Sequence, residues 1–379
     1  MGTITRNFAN NIVTGGKVDG TDGLTGTIPA SNVANDTLGN LTAFPATVGD
    51  FVEVTASDVA ASPSTAGQLF YNSTSGTLKG ISLGTAAWSS GANMPEANYG
   101  AGSFGTQTAF VYFGGMPYPP RTNATREYNG TAWATTGNYT GSLNYLAGCG
   151  VESAGLGAGG NPPTTTVSAE YDGSTWTAVN SMSQQRMNTG STMVGTQPAA
   201  LIVGGDQFPS TPRSLSVCEE YDGTNWTSGG AYPVVIQNTA AAGTQTAGWA
   251  AGGLSDITPG TPNVVRTDTN HYNGTAWTAG GSLPTATFRA GAAGTQTAGL
   301  FFSGTTDGTS NLSTSYSYDG SSWASSANLA TARQSIGAGG VSSPSAAAIG
   351  AGGYVNPGTT AVTEEFTGAQ YVPKTLTTS

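Results

Sequence analysis

At residues 127–133 the chain reads EYNGTAW, in which a tyrosine and a tryptophan flank a four-residue turn sequence. Near copies of this segment follow at regular distances, and the last of them is degenerate. They read EYDGSTW (170–176), EYDGTNW (220–226), HYNGTAW (271–277), SYDGSSW (317–323) and EFTGAQY (365–371). An earlier tryptophan, Trp88, extends the series, so that an aromatic residue recurs every 43 to 51 residues. A period of this length predicts a repeat architecture in which each copy is one small supersecondary unit.

The sequence between successive tryptophans repeats as well. In most copies a Gly-Gly pair or its remnant follows ten residues after the start of a GTQTA-like turn, as in FVYFGG (110–115) and ALIVGG (200–205). Asn-Gly and Asp-Gly tolerate positive φ and favour tight hairpins. Each copy therefore predicts four strands: strand a, strand b ending at Gly-Gly, strand c ending at the tyrosine, and strand d beginning at the tryptophan. The GTQTA-like turns begin at Gly105, Gly195, Gly243 and Gly294, with looser copies at Gly150 and Gly340.

A four-stranded unit cannot bury both of its faces alone, so the copies must pack on one another and close. In the order of their Gly-Gly, Tyr and Trp residues, residues 85–375 resemble the kelch family. We predict an all-β protein, a six-bladed kelch-like β-propeller preceded by an extended, β-rich N-terminal arm. For six blades, the strand at Trp88 completes the last blade by pairing within residues 336–366. In the seven-bladed alternative, the segment from Gln68 supplies three strands of a further blade. The repeated anchors, which we expect to be buried, are Trp88, Trp133, Trp176, Trp226, Trp277 and Trp323.

The composition excludes several classes of protein. The chain has 57 Gly, only 8% charged residues and a formal net charge of −10, so it lacks the basic patch that nucleic acid requires. Its two cysteines, Cys149 and Cys218, lie in different repeats and are predicted to be buried free thiols. The first residues, MGTITRNFANNIV, contain no apolar segment of signal-peptide length, and no run of 18 apolar residues occurs. We therefore predict neither export by a standard signal nor insertion into a membrane.

The segments outside the repeats carry a second likeness. They include GTITRNFAN (from Gly2), VGDFVEV (from Val48) and AGQLFYNSTSGTLKG (from Ala66). Together with the repeats they resemble virion appendage proteins of tailed bacteriophages, especially the tail-fibre-like proteins of marine phages. This resemblance implies a virion protein that is assembled in the host cytoplasm and released by lysis. We divide the chain into an arm that docks on other virion proteins (1–62), a connecting β-hairpin (63–84), the propeller (85–375) and a short tail (376–379).

The supply of reactive residues argues against an enzyme. The single histidine, His271, stands where other copies carry glutamate, so a copper or zinc site built on histidines is excluded and a Ser-His-Asp triad is disfavoured. The repeated acids occur once per blade, and we expect them to be structural. We predict no enzymatic activity, no catalytic residue, no metal and no cofactor. Four unrepeated acids remain possible partners in a carboxylate pair for glycoside hydrolysis: Asp206, Asp256, Asp268 and Asp307.

The two faces of the ring should differ. In a four-stranded blade the a–b and c–d turns lie on one face, and the b–c loops and d–a segments lie on the other. The turns are nearly invariant, whereas the b–c loops vary in length and content, which is typical of a recognition surface on a rigid scaffold. Aromatic rings beside polar groups suit sugars, and an arginine in a d–a segment has either a structural or a binding role. The predicted ligand-binding residues are Tyr118, Arg121, Asp206, Phe208, Arg213, Tyr232, Arg186, Arg289 and Arg333.

Three functions stay open from the sequence. The first, which we favour, is a phage appendage that attaches to the host surface through a glycan. The second is a decoration protein of the capsid or tail without a ligand of its own. The third is a cellular kelch interaction module or a carbohydrate-active enzyme. Because single shallow sites bind weakly, attachment also predicts a homo-oligomer, with a trimer through the arm favoured.

Overall fold

The computed structural model describes residues 69–72, 77–117, 120–187, 193–211, 213–256, 263–339 and 347–375. The predicted arm (1–62) and tail (376–379) lie outside these residues. The chain divides into two compact units, Met1–Thr85 with Ala369–Ser379 in one and Ala86–Gly368 in the other. Strands, turns and loops make up all of the described residues, among which there is no helix.

The strands are short and pair in antiparallel fashion. Two of them, β1 (Leu69–Asn72) and β2 (Thr77–Leu83), precede the propeller, whose closing strand is β3 (Ala87–Ser90). Blade 1 contains β4 (Gly102–Thr106), β5 (Ala109–Phe113), β6 (Thr125–Tyr128) and β7 (Trp133–Thr136); blade 2 contains β8 (Ala147–Val151), β9 (Ala154–Ala158), β10 (Ser168–Tyr171) and β11 (Trp176–Val179). Blade 3 contains β12 (Met193–Thr196), β13 (Ala199–Val203), β14 (Cys218–Tyr221) and β15 (Trp226–Ser228).

The second half of the ring repeats this plan. Blade 4 contains β16 (Ala240–Thr244) and β17 (Ala247–Ala251), then a small hairpin of β18 (Leu254–Ser255) and β19 (Val264–Val265), then β20 (Thr269–Tyr272) and β21 (Trp277–Ala279). Blade 5 contains β22 (Gly291–Thr295), β23 (Ala298–Phe302), β24 (Ser315–Tyr318) and β25 (Trp323–Ser325). Blade 6 contains β26 (Gly337–Gly339), β27 (Ala347–Ala351) and β28 (Thr363–Thr367), and β29 (Tyr371–Thr375) follows it.

Six four-stranded antiparallel sheets form a β-propeller, as the sequence predicted. Within each sheet the spatial order is a, b, c, d. The six innermost strands, β4, β8, β12, β16, β22 and β26, each contact the next, and β26 contacts β4. The ring of blades is therefore closed.

The closure uses a strand from the front of the propeller. Strand β3 pairs with β28 and places Trp88 opposite Phe366, so blade 6 takes its outer strand from the chain that precedes blade 1. The seven-bladed alternative is wrong, because β1 and β2 instead pair with β29 in a separate three-stranded sheet. Since β3 already fills the outer position of blade 6, the strand that begins at Tyr371 pairs with β2. The propeller unit accordingly ends at Gly368, where the sequence prediction extended it to residue 375.

Small residues dominate the innermost strands because six strands converge there. A Cβ atom on Gly337 would lie 2.6 Å from the ring of Tyr112, and one on Gly339 of the same strand would lie 2.6 Å from the ring of Phe110. Large side chains of one blade thus occupy the space that glycines leave in the next. The apolar core consequently lies between blades, where it consists of clusters that each span two neighbouring sheets.

The repeated tryptophans are half-buried, which corrects the prediction that they are buried. Strand d is the outer edge of its sheet, so one side of each indole meets solvent. The other side stacks on the tyrosine of the same copy, as for Tyr221 and Trp226 with ring centroids 5.1 Å apart. The indole N–H reaches the preceding blade, where Nε1 of Trp226 lies 3.0 Å from Oγ of Ser168. Equivalent bonds from Trp176 and Trp323 end on threonine hydroxyls at the same strand position.

The repeated tyrosine and glutamate also join neighbouring blades. Four of the five repeated tyrosines donate their hydroxyl to the glutamate that begins the corresponding segment of the previous blade. Together with burial, which is the larger cause, this bond raises the pKa of Tyr128 and of Tyr272 to about 12. The expected structural role of the glutamates is thus visible in four interfaces. The O–O distances are 2.6 Å for Tyr171–Glu127, 3.0 Å for Tyr221–Glu170, 2.5 Å for Tyr272–Glu220 and 2.5 Å for Tyr128–Glu365.

The glutamine of the GTQTA turn makes a third link between blades. Its amide nitrogen donates to two backbone carbonyls of the preceding blade. In blade 4, Nε2 of Gln245 lies 2.9 Å from the oxygen of Ala200 and 3.0 Å from that of Tyr221. Gln107, Gln197 and Gln296 make the same pair of bonds in blades 1, 3 and 5. In blade 2 this position is occupied by Glu152.

Candidate functional site

The a–b and c–d turns, which lie on one face of the ring, use their polar groups internally. At the c–d turn of blade 2, Oδ1 of Asp172 accepts hydrogen bonds from the backbone N–H groups of Ser174 and Thr175, both at 2.8 Å. These bonds hold the pKa of Asp172 well below its usual range. The same arrangement recurs at Asn129, Asp222, Asn273 and Asp319. Polar groups that are open to a ligand are therefore expected on the opposite face, where the b–c loops and d–a segments lie.

Three of the predicted ligand-binding residues come together in the b–c loop of blade 3, and we name them the rim cluster: Asp206, Phe208 and Arg213. Asp206 is fully buried and pairs with Arg213, and its Oδ1 accepts a 2.9 Å hydrogen bond from the backbone N–H of Phe208. Cζ of Arg213 lies 5.3 Å from the centroid of the Phe208 ring. The Phe208 side chain is 51% exposed. An exposed ring thus stands beside a cation that a buried carboxylate holds in place.

Two of the predicted arginines belong to the interior. Arg186 is fully buried, and its guanidinium lies 2.5 Å from Oε1 of Glu219 and 2.6 Å from the backbone oxygen of Gly204. Arg333 is also fully buried and lies 2.8 Å from Oε2 of Glu364. Burial lowers the pKa of Arg333 to about 10, and Glu364 opposes that shift. Removing one partner of such a buried pair costs roughly 3–5 kcal/mol, so both arginines serve the fold.

The remaining loop predictions have different outcomes. Tyr232 is only 3% exposed, packs edge-on against Trp277 with ring centroids 4.9 Å apart, and accepts a hydrogen bond from Asn270. It is a core residue and offers no surface to a ligand. Arg121 is exposed, and its Nε lies 3.3 Å from Oδ1 of Asn144. Tyr118 lies outside the described residues.

Around the axis on this face, the residue two positions before the innermost strand adopts a left-handed conformation in blades 1, 2, 4, 5 and 6, while the segment before β12 of blade 3 lies outside the described residues. Gly100, Tyr145, Asn238, Arg289 and Ser335 have φ between 52° and 63°. Their backbones are linked from blade to blade: Ser335 N donates to Arg289 O at 2.9 Å and Arg289 N donates to Asn238 O at 3.0 Å. The series continues with the N–H of Gly100, which donates to the backbone oxygen of Ser335. The N–H of Tyr145 in turn donates to the backbone oxygen of Gly100. The hydrogen-bonded series fixes where the side chains of these residues emerge, close to the axis.

Three tyrosines and an arginine gather at this point, and we name them the axial cluster: Tyr99, Tyr145, Tyr354 and Arg289. The ring centroid of Tyr99 lies 6.1 Å from that of Tyr145 and 5.6 Å from that of Tyr354. All four side chains are half-buried. Burial and the neighbouring tyrosines raise the pKa of Tyr99, while the positive charge of Arg289 lowers it, so Arg289 acts on the phenol directly.

Arg289 is one of the predicted ligand-binding residues, whereas the three tyrosines are not. Tyr354 directly follows the Gly-Gly pair of blade 6 and forms a β-bridge with Gln334, which precedes a left-handed residue. Asn161, Asp206 and Leu254 occupy the corresponding positions in blades 2, 3 and 4 and form the corresponding bridges. The residue after Gly-Gly is therefore an axial position in every one of these blades. The position directly after the Gly-Gly pair is therefore the sequence feature that could have identified Tyr354.

Three of the four unrepeated acids have ion-pair or hydrogen-bond partners in the described structure. Asp206 holds Arg213, and Asp268 accepts a 2.6 Å hydrogen bond from Nε of Arg266 beside a shallow cleft on blade 4. The carboxylate of Asp307 accepts bonds within its own turn. Cys149 and Cys218 are free and buried, as predicted. Among the described residues no group of three or more His, Cys, Asp or Glu side chains is placed to hold a metal ion, and no helix could span a membrane.

No protein-family model matches this chain, and no curated protein matches it either. Its fold is thus established by the structure alone.

Proposed function

We propose that this protein is a non-enzymatic virion structural protein, a tail- or head-fibre-like phage appendage whose propeller attaches to glycans on the host surface. The likeness of residues 2–10, 48–54 and 66–80 to phage appendage proteins supports the virion part. The contrast between a uniform face and a variable face supports the attachment part. One observation carries the proposal, the 51% exposed ring of Phe208 beside Arg213.

The chemistry of the rim cluster suits a sugar. A pyranose has an apolar face that stacks on an aromatic ring and hydroxyl groups that need fixed hydrogen-bond partners. Phe208 supplies the ring, and Arg213 supplies donors whose position is set by the buried carboxylate of Asp206. Because the guanidinium is held before the ligand arrives, less conformational entropy is lost on binding.

Repetition compensates for the weakness of one such site. A shallow loop site with a millimolar Kd provides only about 4 kcal/mol. Linked copies raise the effective affinity by roughly 10²–10⁴. We propose that residues 1–62 bind other virion proteins and assemble the chain as a trimer, so that several propellers engage one cell.

The experiment is a glycan array, together with adsorption to candidate host cells, using the full-length oligomer. Phe208→Ala and Arg213→Gln should each lower the glycan signal at least about tenfold, since about 1.4 kcal/mol per site is lost. The matched control is Val151→Ala, which removes an exposed apolar side chain (41%) at an a–b turn on the opposite face. That variant should bind as the unchanged protein does.

The virion part has its own test. An antibody against the full chain should label particles that are released by lysis of the producing cells. If it labels particles while glycan arrays and cell adsorption stay blank, the protein decorates the particle and does not attach it. If it labels no particle, the virion proposal is wrong whatever the propeller binds.

A further inference from the structure

We propose that the axial cluster is a second binding site, specific for a sugar that carries a carboxylate, such as a uronic acid. The inference does not rest on the rim cluster or on the virion proposal. It rests on the position of two arginines and three tyrosines at the axial end of the variable face.

The arginines are the first observation. Five of the seven described arginines are paired with an acid. The two that form no ion pair among the described residues are Arg121 and Arg289. Arg289 belongs to the axial cluster, and Arg121 binds the side chain of Asn144, the residue directly before Tyr145. In a chain with a formal net charge of −10, these are the two described arginines whose charge no ion pair offsets.

Within the described part of the chain, the guanidinium of Arg289 uses only one of its nitrogens, Nη1, in a hydrogen bond. Its Nη1 donates to Oε1 of Gln334 at 3.0 Å, and its Cζ lies 5.4 Å from the centroid of the Phe288 ring. Its Nε is buried and has no hydrogen-bond partner among the described residues. A buried N–H without a partner is costly, and a carboxylate satisfies it best because the planar fork binds both oxygens. The geometry thus points to a carboxylate as the ligand group.

The tyrosines indicate what carries this carboxylate. The ring of Tyr99 stands at 79° to that of Tyr145 and at 53° to that of Tyr354, so the cluster places apolar ring faces beside hydroxyl groups. A sugar ring presents apolar C–H faces and hydroxyls in the same way. An inorganic anion would use the guanidinium and leave the three rings without a role. Attraction between a cation and an acidic saccharide also raises the rate of encounter.

The test uses a galacturonate trisaccharide, its methyl ester and a galactose trisaccharide as probes, with binding to the full-length protein measured by calorimetry or ligand-observed NMR. The acid should bind at least tenfold more tightly than the ester or the neutral sugar. Raising the salt concentration should weaken binding of the acid alone. Arg289→Gln should remove the preference for the acid. Arg289→Lys, which keeps the charge but not the fork, should retain part of it.

Two controls keep the outcome clear. Arg266→Gln removes a cation that pairs with Asp268 outside both clusters and should leave binding of the galacturonate unchanged, so a general loss of positive charge is distinguished from loss of the site. Tyr354→Ala should weaken both the acid and the ester, because it removes a ring face and not a charge. Melting temperatures of all variants show whether the ring stays folded.

The proposal is overturned if the acid and its ester bind equally, if no probe binds at millimolar concentration, or if Arg289→Gln stays folded and keeps the preference. A glutamate-rich peptide that binds more tightly than the trisaccharide and depends on Arg289 would overturn the choice of a sugar. Loss of cell adsorption by Phe208→Ala with no galacturonate binding would leave the rim site standing and this one refuted.

Discussion

At the scale of single residues, the interfaces between blades depend on matched donors and acceptors at repeated positions of neighbouring blades. A tyrosine hydroxyl in one blade meets an acceptor in the blade before it, in four cases a glutamate. The two departures come as matched pairs. His271 faces Tyr318, with 2.8 Å between Nε2 and the hydroxyl oxygen. Ser317 replaces the acid at the interface where blade 6 carries Phe366, which has no hydroxyl to donate. Because blade 5 has no acid and blade 6 has no phenol at this interface, neither blade leaves a buried polar group without a partner there.

His271 predicts a pH dependence that is easy to assign, because the chain has no other histidine. Burial lowers its pKa from 6.5. The folded state therefore disfavours the charged ring, and stability is complete above the unfolded pKa and falls as the pH drops below it. The free energy of unfolding, measured with a chemical denaturant, should decrease between pH 7 and pH 5. His271→Gln, whose carbonyl accepts the same hydrogen bond, should be flat over that range. A slope that persists in this variant would assign the effect to other groups.

Glu152 predicts a stabilising substitution. It stands where glutamine donates two hydrogen bonds in blades 1, 3, 4 and 5, and burial and Glu127 raise its pKa. Glu152→Gln should raise the free energy of unfolding by about 1 kcal/mol at pH 7, from the two restored bonds. Because the raised pKa penalises only the charged form, the gain should shrink as the pH falls through that raised pKa, and the shrinkage should be complete below the ordinary value of 4.5. Gln245→Glu is the reverse control and should destabilise blade 4. Equal stability of Glu152→Gln and the unchanged protein would mean that the blade 2 turn differs from the others.

At the scale of strands, the repeat predicted the strands that recur with the period, and it did not predict the burial of residues in segments that lack a repeated pattern. Gly-Gly, Asp-Gly and the Tyr–Trp spacing place strands b, c and d, because each marks a required turn or an aromatic anchor. The d–a segments have no such pattern, so the sequence could not distinguish buried Tyr232 and Arg186 from half-exposed Arg289. The three residues of the rim cluster were among the nine predicted residues, and they lie in one loop, which is why the sequence shows them close together. The axial cluster brings together blades 1, 2, 5 and 6, and only the closed ring reveals it.

Trp226 tests how much a strand d anchor contributes. Its ring is half-buried, packs on Tyr221 and donates to Ser168 of the preceding blade. Trp226→Ala should cost about 2 kcal/mol, less than the roughly 3–5 kcal/mol for a fully buried aromatic residue. Trp226→Phe keeps the stacking and loses only the hydrogen bond, so about 1 kcal/mol is expected. Denaturant unfolding gives both values. A cost below about 0.5 kcal/mol for the alanine variant would show that the blades are held by their inner strands alone.

At the scale of the whole molecule, stability depends on closing a ring whose first and last blades are joined by one short strand. Strand β3 pairs with β28, and Trp88 packs on Phe302 and Phe366 at centroid distances of 4.9 Å and 5.2 Å. Without β3, the edge of β28 and an apolar cluster of blade 6 are open to solvent. Since each blade is stable only against its neighbours, damage at this position affects the entire ring.

Two truncations separate closure from the rest of the front end. Deleting residues 1–85 leaves β3 (Ala87–Ser90) in place, and the propeller should still unfold in one cooperative transition. Deleting residues 1–90 removes β3 as well and should lower the melting temperature by more than about 10 °C or abolish the single transition, because several kcal/mol of packing are lost at about 2–4 °C per kcal/mol. Calorimetry of both proteins checks this. Equal melting temperatures would show that β3 does not close the ring.

The shorter deletion of residues 1–62 should also leave melting unchanged while preventing incorporation into particles, and a protein that still incorporates would refute the docking role of the arm.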